Sequence, residues 1–143
     1  MPNKAFQRDK MENFNKFVGV LFGKMYQEFP EPLGIEPESF LKEMLADLDT
    51  VDKAKEFPDF FRATIKWLER YGYIWISTDR SSMSGPKYEV VLSERGLAAL
   101  QKVPESLEGS ASIGERLASF SKSKASEAIG TLINLVITSA AQS

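Results

Sequence analysis

At 143 residues with a net charge of −2, the chain is long enough for one ordinary hydrophobic core, and its balanced charge gives no long-range pull toward nucleic acid or an anionic membrane. It contains neither cysteine nor histidine, which excludes disulfides, cysteine nucleophiles, Ser-His-Asp triads and histidine-held metals, and fits a reducing cytoplasm. An apolar share of 43 % with ten phenylalanines is the composition of a folded domain and not of a disordered tail.

The first clear periodicity covers residues 9–29, where Phe14, Phe17, Val18, Leu21, Phe22, Met25 and Phe29 recur at helical spacing along one stripe. Pro30 and Pro32 end this helix. A second helix is expected from Pro37, with Glu36 and Glu38 at its positive end and an apolar stripe of Phe40, Leu41, Met44, Leu45 and Leu48. Residues 49–55 read as the connection. A third helix is expected over 56–71, with Pro58 in its first turn, Phe57, Phe60, Phe61, Thr64, Ile65 and Leu68 facing inward, and Gly72 closing it.

The stretch 73–77, YIWIS, is rich in aromatic and β-branched residues, as is 87–93, KYEVVLS; TDRSSMSGP between them is turn chemistry. The pair reads as a two-stranded hairpin. Ser93 can cap a short helix that Pro104 stops, and Ser112 with Glu115 forms a capping box opening another. The last helix, 123–141, carries Ile129, Leu132, Ile133, Val136 and Ile137 on one side, and no charge follows Glu127. Its uncharged second face leaves three readings: packing on its own domain, a homodimer interface through those five residues, or a membrane surface. The last lacks the basic polar face such helices use. The apolar run 128–141 is shorter than the roughly 20 residues of a membrane span. With no signal-peptide pattern at the start, a cytoplasmic protein without a membrane span is expected.

Helix, helix, helix, strand, tip, strand, helix is the order of a winged helix-turn-helix domain. The segment 61–100 resembles MarR-type bacterial winged-helix proteins, in which a recognition helix closes with L-E-x-x-G-[YL]-I and an L-T-x-x-G-x-x-x-L helix follows the hairpin. The matching residues are Leu68-Glu69, Gly72-Tyr73-Ile74 and Leu92-Ser93-Glu94-Arg95-Gly96-Leu97 with Leu100. The tip departs from that family: Asp79 and Arg80 are adjacent, where the family has D-x-R. The expected fold is therefore mainly α with a β-hairpin, residues 1–104 forming the winged-helix domain and 105–143 a C-terminal helical extension.

The resemblance implies a DNA-binding transcriptional regulator, dimeric through helices 9–29 and 123–141. On the residues themselves, Arg62, Lys66 and Arg70 recur every four positions on the third helix, and Arg80 and Lys87 lie on the wing. These five are the candidate contacts to double-stranded DNA. Glu56 and Asp59 at the entry of the same helix would be repelled by phosphate, which keeps open a second class: a winged-helix module that binds a protein partner without DNA. No Gly-rich phosphate loop, nucleophile with a base, or metal-ligand spacing appears, so no enzyme activity, cofactor or metal is expected. The acidic run Glu36, Glu38, Glu43, Asp47, Asp49 and Asp52 reads as a solvated face.

Overall fold

A computed structural model describes residues 3–40, 44, 51–105, 107, 109–120 and 126–142. In chain order it contains α1 (Asn3–Glu28), β1 (Leu33–Ile35), a 3₁₀ turn (Pro37–Phe40), α2 (Val51–Arg70), β2 (Ile74–Asp79), β3 (Tyr88–Leu92), α3 (Glu94–Gln101), α4 (Ile113–Phe120) and α5 (Ser126–Gln142). The described chain is mainly helical, with one small antiparallel sheet.

α1 is the spine. Phe17, Val18, Val20, Leu21 and Phe22 are all buried, a continuous run that only a helix enclosed on more than one side can have. At 100° per residue, positions 17 and 21 face one way and 19 and 23 the other. On the first side Phe17 meets Phe40 edge-on at 4.9 Å, Phe57 at 5.9 Å and Phe61 at 5.5 Å, and Phe61 stacks on Tyr88 of β3 at 6.0 Å. Each such aromatic pair adds about 0.5–1.5 kcal/mol beyond area burial. Half-buried Trp67 sits under α1 against Phe14 at 5.5 Å and stacks on Tyr73 at 6.0 Å.

The other side of α1 is cut flat by glycine. A β-carbon at Gly19 would collide with Ile129 of α5, and one at Gly23 would stand 2.8 Å from the carbonyl oxygen of Leu117 in α4. The two helices thus lie almost on the α1 backbone. Ile113, Leu117, Ile129, Leu132, Ile133 and Val136 join the same buried cluster as the phenylalanines. This corrects the expected dimer face: Ile129, Leu132, Ile133 and Val136 are buried within one chain, and Ile137 is half-buried against the same cluster. The physical reason is that α1 presents an apolar flank without bulk, which α5 fills.

The sheet has three strands in the order β1-β3-β2, not the two of the expected hairpin. Leu33 pairs with Val90 and Ile35 with Tyr88, so β1 covers the free edge of β3. β2 pairs along the other edge, Ile74 with Leu92 and Trp75 with Val91, and its register shifts between Ile76 and Thr78. Ile35, Ile74, Tyr88, Val90 and Leu92 are buried. Trp75 stays 59 % exposed, as alternation along a strand requires.

Two helix boundaries also differ. α2 begins at Val51, so Pro58 lies inside it and not in the first turn. Lys53, Ala54, Lys55 and Glu56 are strong helix formers, and the bond lost at Pro58 is offset by Phe57 and Phe61, which are locked in the core on both sides. Of the second expected helix, only the turn Pro37–Phe40 and buried Met44 are described; Leu41, Leu45 and Leu48, with Glu43, Asp47 and Asp49, lie outside the described residues. The α2 end is closed as expected: Gly72 has φ +83°, and Tyr73 N–H donates to the Leu68 carbonyl at 2.9 Å. Ser93 caps α3, accepting from Gly96 N–H at 3.0 Å. Gly96 has no room for a β-carbon beside the Tyr73 carbonyl, which pins α3 to the α2–β2 corner.

The capping box also forms. Ser112 N–H donates to Glu115 Oε1 at 3.0 Å, and Glu115 N–H donates to Ser112 Oγ at 3.1 Å. Hydrogen bonds to the carboxyl from the Ser112 backbone and then its side chain, with a smaller pull from Arg116, hold Glu115 below its ordinary value. The folded value lies below the unfolded one, so this stabilisation is complete above the ordinary glutamate range and is lost as the pH falls through the folded value.

Two stability measurements follow. Gly23→Ala must push α4 off α1, and chemical denaturation should show a loss of about 1–3 kcal/mol, whereas Gly34→Ala, with open space around it, should stay within about 0.5 kcal/mol of the parent. Ser112→Ala should cost about 1 kcal/mol, and the Glu115 midpoint in carboxyl-detected NMR should rise only part of the way toward its ordinary value, because the backbone N–H at 112 still donates to the carboxyl; an unchanged midpoint would remove the side-chain part of the capping account.

Candidate nucleic-acid interface

The five cations expected to meet DNA do not form one free basic surface. Arg62 Nη1 lies 3.5 Å from Asp59 Oδ1, one turn back on α2. Lys66 Nζ lies 3.9 Å from Asp79 Oδ2 at the end of β2, and 5.6 Å above the Tyr88 ring. Arg80 Nε donates to Glu89 Oε2 at 2.9 Å across the wing. Lys87 Nζ lies 3.7 Å from Glu36 Oε2, beside the 3₁₀ turn. Arg70 is exposed at the far end of α2 and makes no ion pair among the described residues. It lies two turns beyond Arg62, about 12 Å along the helix, so the stripe read from the sequence is real as spacing but not as free charge.

Asp79 organises the root of the β2–β3 hairpin. Its Oδ1 accepts from Ser81 N–H at 2.9 Å, a local turn that reverses the chain. Hydrogen bonds from Ser81 hold its carboxyl below the ordinary value, and the charges of Lys66 and then Arg62 add to that. Beyond it the hairpin tightens. Arg80 N–H donates to the Lys87 carbonyl at 2.8 Å, Lys87 N–H donates to Ser81 Oγ at 3.1 Å, and Ser82 and Gly85 exchange both backbone hydrogen bonds at 3.0 Å. Met83 is thereby thrust fully into solvent at the tip.

Glu69 accepts from Ile76 N–H at 3.2 Å. It caps an edge amide of β2 and blocks that edge against strand addition. Of the aromatic group, Tyr73 is core, its hydroxyl pKa raised by burial and opposed by the Arg95 charge. Tyr71 and Trp75 remain about half exposed. Arg95 Nη1 donates to the Tyr71 carbonyl at 3.1 Å, and its guanidinium lies 5.4 Å above the Tyr73 ring.

Between the wing tip, the 3₁₀ turn and the Phe57-Pro58 turn of α2 lies a cleft of about 360 Å³. Pro37, Phe57, Pro58 and Pro86 give it apolar walls; Glu36, Glu38 and Lys87 bring charge, and Ser82 and Ser84 bring hydroxyls. None of this was visible along the chain, because the contributing segments are separated by about 20 residues or more, and Glu36 and Glu38 read only as helix-end charges. No family model, curated protein or solved structure matches this chain.

Ser81→Ala should raise the Asp79 midpoint in a carboxyl-detected NMR titration more than Lys66→Ala does. The reverse order would mean that the ion pair, and not the Ser81 turn, sets the hairpin root.

Proposed function

We propose that the chain is a winged-helix protein-interaction module that does not grip duplex DNA. The fold part of this reading is supported by the element order and by the sheet order β1-β3-β2, in which a strand from between the first two helical segments joins the wing. The function part rests on one observation: four of the five candidate DNA contacts are already paired with carboxylates of the same surface. A phosphate approaching Arg62, Lys66, Arg80 or Lys87 meets Asp59, Asp79, Glu89 or Glu36 at the same distance. Counterion release, the main source of non-specific affinity, has little to act on when each cation has its own local anion.

Exposed Trp75, Tyr71 and Met83 are side chains of the kinds enriched where proteins meet. The DNA-regulator reading keeps one support, the exposed α2 stripe of Arg62, Lys66 and Arg70.

Fluorescence titration with random-sequence duplex separates the two. The module should show no binding tighter than about 10⁻⁴ M at roughly 50 mM salt, the weak end of non-specific affinity. Glu36→Gln, Asp59→Asn and Glu89→Gln together should then create salt-dependent binding, with a log–log slope near −3 for three released cations. Tight binding by the parent chain that falls steeply with salt, and flattens in Arg62→Ala and Lys66→Ala, would overturn the proposal in favour of a regulator.

A further inference from the structure

The cleft beside the wing tip has the chemistry of a cation site. Its three charged groups are not balanced: Lys87 lies 3.7 Å from Glu36, while Glu38 has no ion pair among the described residues and is exposed. One carboxylate is thus left over at the edge of a cavity of about 360 Å³, within the range of ligand-sized pockets. The walls below it are pyrrolidine rings and the edge of Phe57, and such surfaces accept an alkyl stem or a flat guanidinium face. The opposite rim carries two hydroxyls, Ser82 and Ser84, hydrogen-bonded to each other at 2.7 Å. Ser82 Oγ also accepts from Ser84 N–H at 3.2 Å, so the hydroxyl pair keeps acceptor capacity at Ser84 Oγ in either orientation, and at Ser82 Oγ when Ser82 is the donor of the pair.

We infer that this cleft receives an arginine side chain from an extended segment of a partner protein. The guanidinium would pair with Glu38 and donate to the Ser82 and Ser84 hydroxyls, while its stem lies on Pro37, Pro58 and Pro86. Arginine is favoured over lysine because a planar fork matches a carboxylate with two parallel bonds and packs flat on apolar rings. A macromolecular source is favoured over a free small cation by Met83. It stands fully exposed between the two serines, an adaptable apolar contact for the chain flanking the arginine. An anionic ligand would face the unneutralised Glu38. This inference rests on the interaction-module reading and gives that module a site and a ligand chemistry.

The test uses the full chain and amide chemical shifts, titrated with acetyl-Gly-Pro-Arg-Pro-Gly-amide and with the same peptide carrying neutral citrulline for arginine. The arginine peptide should give saturable shifts at Glu38, Ser82, Ser84 and Lys87, with a Kd near or below about 1 mM. Citrulline, or Glu38→Gln in the protein, should weaken it roughly tenfold, the worth of one charge-assisted hydrogen bond. Lys87→Ala should tighten it about threefold, because it frees Glu36 to attract the same cation. Absence of saturable shifts, equal binding of the citrulline peptide, or equal binding of free agmatine would each overturn the inference, the last by making the cleft a small-cation site. If duplex DNA also leaves the spectrum unchanged in a parallel titration, only the cleft assignment falls. If duplex DNA shifts α2 and the wing, the module reading falls instead.

Discussion

Burial of α1 on two opposite flanks is the constraint from which the other placements follow. Its phenylalanine side holds Phe40, Phe57, Phe61 and, through them, Tyr88 of the central strand. Its glycine side lets α4 and α5 approach to backbone distance. Here one flank is bulky and fills the space toward α2 and the sheet, while the other is bare and lets α4 and α5 lie close to the α1 backbone. The alternation of Phe17, Leu21 with Gly19, Gly23 provides both flanks within seven residues.

With α1 fixed, α2 and the sheet have little freedom, and their outer surfaces decide what the protein can meet. Those surfaces are finely mixed in sign. Exposed ion pairs of this kind add little to stability, typically well under 1 kcal/mol each. Their effect on the field is larger: a cation with a carboxylate 3–4 Å away acts on a distant phosphate as a dipole, whose potential decays faster than that of a charge and is then screened by salt. The paired cations thereby project a weaker long-range field than the same cations would without their carboxylates.

The β2–β3 hairpin contributes shape as much as charge. The Asp79–Ser81 turn, the Ser81–Lys87 bond and the closed Ser82–Gly85 loop leave its backbone groups paired along the hairpin. A loop held in this way presents its backbone and the two serine hydroxyls in a fixed pose, while the fully exposed Met83 side chain stays free to adapt. The tip lies beside the 3₁₀ turn because β1 pairs with β3, Ile35 opposite Tyr88, and Lys87 lies 3.7 Å from Glu36 across that junction.

How much of this was legible along the chain depends on the range of the interactions. Local rules fixed the capping box at Ser112 and Glu115, the Gly72 stop, the Ser93 cap, and the inward faces of α1, α2 and α5, because each rests on contacts within about four residues. β1 was not legible: three residues between prolines carry no measurable period, and Leu33–Ile35 becomes a strand only because β3 has an edge to cover. The destination of Ile129, Leu132, Ile133 and Val136 was not legible either. An apolar stripe demands a partner without naming it, and the bare flank of α1, more than 100 residues away, supplied one. For the cations, sequence set their spacing and tertiary structure set their charge environment, because Glu36, Asp79 and Glu89 reach Lys87, Lys66 and Arg80 only after the wing has folded back on α2 and the 3₁₀ turn. By itself, then, the sequence determined the main helices, the β2–β3 pair and their apolar faces, since those are short-range matters of period and cap, while β1 was left to tertiary pairing. What the surface can recognise was decided by tertiary structure alone, since electrostatic neutralisation and a cleft both depend on distances between segments far apart in the chain.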